Sequence, residues 1–128
     1  MSAKMILFVA AGGAAGSVAR YLMMSLVGYF TQPGFPYATL AVNVIGGFIL
    51  GCIIEILALS WSPVPEVRAL VVIGVLGGFT TFSTFSMDLF YLFERSQYSA
   101  AGLYVAASVI LSVIGLALGI MLWRQILS

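Results

Sequence analysis

Four long apolar runs, separated by short polar or proline-containing segments, make up almost the whole chain. The runs cover residues 5–28, 37–59, 68–93 and 100–123. A bilayer core of about 30 Å is crossed by roughly 20 apolar residues in a helix, so each run is long enough to cross a membrane once. The pattern predicts four transmembrane helices in a single membrane domain over residues 1–128, with both termini on one side.

Composition indicates the same class of protein. The chain is 62% hydrophobic and 7% charged, whereas an ordinary soluble domain is about 25% charged. We therefore predict an all-α integral membrane protein. Because Lys4 precedes an apolar stretch, the first run also has features of a cleaved signal peptide. Arg20 and further apolar residues follow, so we predict that it is a retained span.

The numbers of basic residues on the two sides of the predicted bundle differ only slightly. Lys4, Arg68 and Arg124 fall on the side of the termini, and Arg95 falls on the other, with Arg20 depending on its depth. Such a small difference gives a weak positive-inside bias. Two alternatives stay open: insertion in both orientations, or a single orientation with the termini in the cytoplasm.

Cysteine and histidine counts exclude most enzyme chemistry. The sequence has one cysteine, no histidine and four carboxylates, which is too few for a metal cluster and leaves no imidazole base for a nucleophile. We predict that the protein is not an enzyme. Cys52 lies within the second run and is interpreted as a small packing residue.

Polar residues recur at helical spacing inside the runs, and polar groups within a membrane commonly mark function. In the first run Gly12, Gly16 and Arg20 are four residues apart. The glycines predict a smooth face for close helix packing. The arginine at its end is either a buried functional cation or a side chain that reaches the lipid headgroups.

The second and fourth runs each carry a polar face. Thr39 and Asn43 are followed at the same spacing by two glycines, while Tyr104, Ser108 and Ser112 form a ladder of hydroxyls. An interhelical hydrogen bond would be enough to explain an asparagine. Serines can also simply bond their own helix. We interpret the three hydroxyls in register as a polar track.

The third run is unusual because residues 77–86 combine two adjacent glycines with five hydroxyl residues. Glycine, serine and threonine weaken a helix, so we predict that the third helix is broken near its middle. Carbonyls freed by a break are ready ligands for a hard cation such as Na⁺. The alternative is a continuous helix whose hydroxyls bond its own backbone.

Phe79, Phe82 and Phe85 recur every third residue in this run. The simplest interpretation of such a stripe is packing. The edges of phenylalanine rings carry partial positive charge, however, so rings beside hydroxyls and an amide can also form a site for a small anion without a formal cation.

Three segments resemble the small bacterial fluoride channels of the Fluc (CrcB) family. They are Gly77-Gly78-Phe79-Thr80-Thr81-Phe82-Ser83-Thr84-Phe85-Ser86, Thr39-Leu40-Ala41-Val42-Asn43 and Gly16-Ser17-Val18-Ala19-Arg20. The resemblance implies a passive, fluoride-selective channel in the bacterial inner membrane that lowers cytoplasmic fluoride. It also implies an antiparallel, dual-topology homodimer with two pores and a structural Na⁺ at the dimer interface.

The resemblance assigns a role to individual residues. It implies that the fluoride pore is lined by the rings and donors of Asn43, Phe82, Phe85, Thr39, Ser83, Thr84, Tyr104, Ser108 and Ser112. Gly77 and Thr80 would supply backbone carbonyls to Na⁺, and Arg20 would lie at an aqueous vestibule. Asp88 stands where many members have glutamate, so it either receives the ion at the pore end or caps or salt-bridges near the helix end.

Two other classes of protein are alternatives to a channel. A proton-coupled small multidrug exporter also has four short helices, but it needs a carboxylate inside the membrane, typically in the first helix, and the first run has none. A purely structural subunit would explain the glycine faces but not the hydroxyl tracks.

Overall fold

The computed structural model of the protein describes residues 2–128 and shows an all-helical bundle. Within that range there is no strand. Four helical spans are long and apolar enough to cross a membrane, namely Ala3–Phe30, Tyr37–Leu59, Pro65–Glu94 and Tyr98–Leu127. Large apolar side chains cover the outside of the bundle, where lipid would surround them. The prediction of a multi-pass, all-helical membrane protein is confirmed.

Local sequence signals explain where the helices begin and end. The first span begins after Ser2, whose hydroxyl accepts a hydrogen bond of 3.1 Å from the amide of Met5. The turn to the second span contains Gly34 with a φ of 121°, a conformation that glycine adopts without steric cost. The first span therefore extends two residues beyond each end of the apolar run 5–28.

The third span contains several helical stretches. Its first half comprises Pro65–Ala69, the π-helical Leu70–Leu76 and Gly77–Phe79, and its second half is the helix Phe82–Glu94. Between the two halves, Thr80 (φ −86°, ψ 156°) and Thr81 (φ −149°, ψ 118°) have extended backbone. The hydroxyl of Thr81 accepts the amide of Thr84 at 3.1 Å, which makes Thr81 the N-cap of the second half.

The spans pack in two pairs, the first against the first half of the third, and the second against the fourth. Small residues line both contacts. A Cβ on Gly16 would overlap the carbonyl oxygen of Val75, and one on Gly51 would overlap that of Leu116. Glycine is therefore required here for the backbones to approach this closely.

An ion pair joins the second and fourth spans near their C-terminal ends. Nε of Arg124 lies 2.6 Å from Oε2 of Glu55, whose side chain is buried. A carboxylate buried in an apolar bundle needs such a partner. Glu55 is thus accounted for by packing of the bundle.

Candidate functional site

A groove of about 300 Å³ opens on the side of the bundle at the level of Thr80 and Thr81. Its lining combines an amide, hydroxyls and aromatic rings, from Asn43, Thr80, Thr81, Phe82, Phe85, Ser108, Val109 and Ser112. None of these side chains carries a formal charge. The groove is therefore polar but electrically neutral.

Asn43 binds the extended backbone with both of its polar atoms. Its Oδ1 accepts the amide of Thr81 at 2.8 Å, and its Nδ2 donates to the carbonyl of the same residue at 3.0 Å. This pairing resembles that of two neighbouring β-strands and holds the extended conformation in place. The Nδ2 group has two N–H bonds, so one donor is left for a ligand in the groove.

The extended residues free backbone carbonyls that a continuous helix would have paired. The amides that would bind the carbonyls of Gly77 and Thr80 belong to Thr81 and Thr84. Those two amides instead donate to Asn43 Oδ1 and to Thr81 Oγ1. Carbonyl oxygens without their helical donors are the ligands that a hard cation prefers, so this pair of residues fits Na⁺.

Arg20 binds a third freed carbonyl. Its Nε donates to the carbonyl oxygen of Gly78 at 3.0 Å, and the side chain is partly buried. In a continuous helix this carbonyl would have accepted the amide of Phe82. The cation of the first span therefore lies beside the extended residues.

The phenylalanines at every third position do not form one face. Phe79 precedes the extended residues, is buried and lies against Gly46. The rings of Phe82 and Phe85 follow them, with centroids 5.5 Å apart, and both line the groove. Phe85 is 9% exposed and Phe82 is 78% exposed. Packing thus explains Phe79, whereas the other two rings border the polar groove.

Ser108 presents an unused hydrogen-bonding group to the groove. Its Oγ is buried and, within residues 2–128, has no hydrogen-bond partner. A buried hydroxyl without a partner costs free energy and therefore needs an explanation. Ser112, one helical turn further along, also lines the groove. A water molecule or an ion in the groove would give the Ser108 hydroxyl the partner that it lacks.

Asp88 connects three spans on one side of the groove. Its Oδ2 accepts the hydroxyl of Thr39 at 2.6 Å and that of Tyr104 at 3.1 Å. Both hydroxyl protons are thus directed at the carboxylate. Asp88 also lines a small outer pocket of about 190 Å³ together with Arg95. It therefore lies between the buried hydroxyls and the outside of the bundle.

The structure brings some of the predicted pore residues together and separates others. The groove is lined by Asn43, Phe82, Phe85, Ser108 and Ser112, whereas the hydroxyls of Thr39 and Tyr104 bind Asp88. Ser83 and Thr84 do not line the groove.

Sequence reasoning assigned no role to Thr81, which carries the contacts of Asn43 and caps the following helix. A threonine directly after the glycine-containing segment 77–80 was an available signal for the N-cap of a following helix.

Comparisons with known proteins cover nearly the whole chain. A family model described as "CrcB-like protein, Camphor Resistance (CrcB)" matches residues 7–120. A relative from Rhodospirillum centenum, named "Fluoride-specific ion channel FluC", is 52% identical over 121 residues, which are 94% of this chain and 96% of the relative.

Two further relatives show the same match. "Fluoride-specific ion channel FluC 1" of Nitrobacter hamburgensis is 48% identical over 119 residues, 93% of this chain and 94% of the relative. "Fluoride-specific ion channel FluC" of Caulobacter vibrioides is 44% identical over 122 residues, 94% of this chain and 96% of the relative. The matched range of the family model includes every residue that lines the groove.

Proposed function

The chain belongs to the CrcB family, and from that premise we propose that it is a passive, fluoride-selective channel that lets fluoride leave the cell. The observation that carries the proposal is the neutral groove, in which a spare N–H of Asn43 and the unpartnered hydroxyl of Ser108 lie beside two phenylalanine rings. The protein is a multi-pass membrane protein. In bacteria it lies in the inner membrane.

The donors of the groove suit a small anion that must also leave. Fluoride is the halide that accepts the strongest hydrogen bonds, so N–H and O–H donors and ring edges replace part of its hydration shell. A lysine or arginine inside the groove would bind the ion tightly and slow its release. Weak donors in series permit both binding and exit, and the larger chloride ion gains less from them.

The remaining residues extend the path on either side of the groove. We assign Arg20 to the vestibule before it, and Ser83, Thr84, Tyr104 and Thr39 to donors along or beside the path. Ser112 and Tyr104 are eight residues apart on one helix, about 12 Å at the usual rise. This is a distance that an ion would cross in a few steps between donors.

Asp88 has a supporting role in this proposal. A carboxylate repels fluoride, so it would not bind the ion directly. Its contacts with Thr39 and Tyr104 fix the orientation of two hydroxyls beside the path. Arg95 in the outer pocket offsets the negative charge where the ion leaves.

We further propose that the working form is an antiparallel homodimer. In support of this, the groove opens on the outside of one chain, and Phe82 is 78% exposed although its ring borders a polar site. A second copy would close the groove. The carbonyls of Gly77 and Thr80 would then hold a Na⁺ between the two chains, where it would neutralise the exposed carbonyl dipoles.

Passive conduction is sufficient for export. In an acidic medium neutral HF crosses lipid and dissociates in the cytoplasm, which traps fluoride inside. The negative interior potential then drives the anion outward through any open, selective path. No coupling ion is required.

Growth in fluoride tests this function in the cell. A bacterial strain without its own fluoride exporter should grow in fluoride when it makes this protein. It should fail to grow with Phe82→Ile or Phe85→Ile, because isoleucine keeps the bulk but not the polar ring edge. Phe90→Ile is the matched control, since Phe90 is 61% exposed on the same helix and lies outside the groove.

Growth equal to that of cells without the protein would contradict the proposal, provided that immunoblots show it in the membrane. Full resistance with both Phe82→Ile and Phe85→Ile would reduce the two rings to packing residues.

A further inference from the structure

The guanidinium of Arg20 donates a hydrogen bond to a carbonyl that a backbone amide would bind in a continuous helix. Its Nε lies 3.0 Å from the carbonyl oxygen of Gly78, across 58 residues of sequence. The helical donor for that carbonyl would be the amide of Phe82, which lies beyond the extended residues. Arg20 thus substitutes for a missing backbone hydrogen bond at the extended residues between the two halves of the third span.

The first span is held against this point with little freedom to move. A Cβ on Gly78 would lie 2.7 Å from the carbonyl oxygen of Gly13 and 3.1 Å from the amide of Ser17. A Cβ on Gly16 would likewise lie too close to backbone, 3.0 Å from the amide of Phe79. Close backbone packing therefore fixes the Cα of Arg20 relative to Gly78, so the Nε–carbonyl contact is determined by the fold.

The extended residues are then held from two sides. Asn43 of the second span binds both backbone groups of Thr81, and Arg20 of the first span binds the carbonyl of Gly78. The Asn43 contact fixes Thr81, which follows the helical turn Gly77–Phe79. The Arg20 contact provides a donor for the carbonyl of Gly78, which lies within that turn. Loss of either contact leaves a backbone group in the membrane without its partner, which costs free energy.

Building on the proposed function, we propose that Arg20 is a positioning residue. It stabilises the extended backbone of Thr80 and Thr81 by donating a hydrogen bond to the carbonyl of Gly78. The shape of the guanidinium is what matters for this role. Nε is the nitrogen nearest the backbone in arginine, and lysine has a methylene group at that place and its ammonium one bond further out. Lysine would keep the charge of the vestibule but lose this contact.

Two variants separate positioning from simple attraction of the anion. Arg20→Lys keeps the positive charge, and Arg20→Met removes it. Neither variant has a nitrogen donor at the ε position, where arginine has Nε. Arg68→Lys is the matched control, because Arg68 is exposed and lies elsewhere in the bundle. For each protein in lipid vesicles, fluoride efflux is measured as a function of fluoride concentration, and amide hydrogen exchange is measured by mass spectrometry.

If Arg20 caps the carbonyl, both variants lower the maximal rate by about tenfold, the loss expected for one charge-assisted hydrogen bond. The fluoride concentration at half-maximal rate stays near that of the wild type. Amide exchange in a peptide covering residues 77–85 rises several-fold, and exchange in the second and fourth spans stays unchanged. Arg68→Lys gives wild-type values throughout.

Wild-type efflux with Arg20→Lys together with a raised half-maximal concentration for Arg20→Met would overturn the proposal, since charge alone would then explain the residue. Unchanged exchange in residues 77–85, or a rise spread over all four spans, would overturn it as well. If the wild-type protein itself released no fluoride, the proposed function would fail, and the exchange comparison would still decide the role of Arg20.

Discussion

At the level of single residues, Asn43 and Ser108 provide the hydrogen-bond donors that the groove offers to the proposed ion. Asn43 uses one N–H and its oxygen to hold the backbone of Thr81, which leaves its second N–H available. Ser108 has a buried hydroxyl without a partner. Under the proposed function, each of these groups would donate to a small anion in the groove.

Replacement of Ser108 by alanine separates function from stability. The variant removes an unpaired buried hydroxyl, so we expect the melting temperature in detergent to stay the same or to rise slightly. Fluoride efflux should fall by roughly tenfold, because the ion loses one donor. Ser86→Ala is the control, since the hydroxyl of Ser86 bonds the carbonyl of Phe82 and lies outside the groove. Unchanged efflux in Ser108→Ala would show that this hydroxyl does not contribute to fluoride conduction.

Helical spacing indicated which polar residues share a helix face but not all of their hydrogen-bond partners. Four-residue spacing placed Ser108 and Ser112 on one face, and the structure brings both into the groove. The same spacing joined Tyr104 to them, yet its hydroxyl binds Asp88. Which of several possible acceptors a hydroxyl binds depends on neighbouring spans, and one-dimensional spacing does not contain that information.

At the scale of elements, hydropathy was sufficient to locate the spans but not to predict the backbone conformation within them. The prediction of four membrane-crossing helices is confirmed, since a bilayer fixes the length of an apolar segment. The π-helical stretch Leu70–Leu76 was not predicted. Its residues are those of an ordinary apolar helix, so hydropathy does not distinguish π-helical from α-helical hydrogen bonding.

Two glycines of the first span provide a matched test of its packing. Gly16→Ala places a methyl group against the carbonyl of Val75, and we expect a loss of about 1–3 kcal/mol in the free energy of unfolding. Gly13→Ala adds the same methyl group where nothing lies within 4 Å. It should be neutral or stabilise the helix by up to about 1 kcal/mol. Thermal unfolding in one detergent measures both, and equal effects would contradict the close contact of the first and third spans.

At the scale of the whole molecule, the distribution of charge bears on orientation. Arg124 is paired with Glu55, and Arg20 binds the carbonyl of Gly78. Lys4, Arg68 and Arg95 are exposed at the ends of the spans. Two of these lie on the side of the termini and one on the other, so the bias remains small. A small bias agrees with the proposed insertion in both orientations.

Reporters fused to the C-terminus test that proposal. An antiparallel homodimer requires comparable signals from a reporter active only in the cytoplasm and from one active only outside it. Addition of two lysines after Ser128 should shift the signal towards the cytoplasmic reporter and lower fluoride resistance, because one orientation becomes scarce. A single orientation in the unmodified protein would exclude a homodimer of opposed copies.

The central claim is that the chain alone conducts fluoride passively and rejects chloride. Purified protein in lipid vesicles loaded with both anions, with valinomycin and a potassium gradient to set the potential, tests it with ion-selective electrodes. We predict fast fluoride efflux without any proton gradient, while chloride efflux stays near that of protein-free vesicles. Equal efflux of the two anions, or fluoride efflux that requires a proton gradient, would contradict the account.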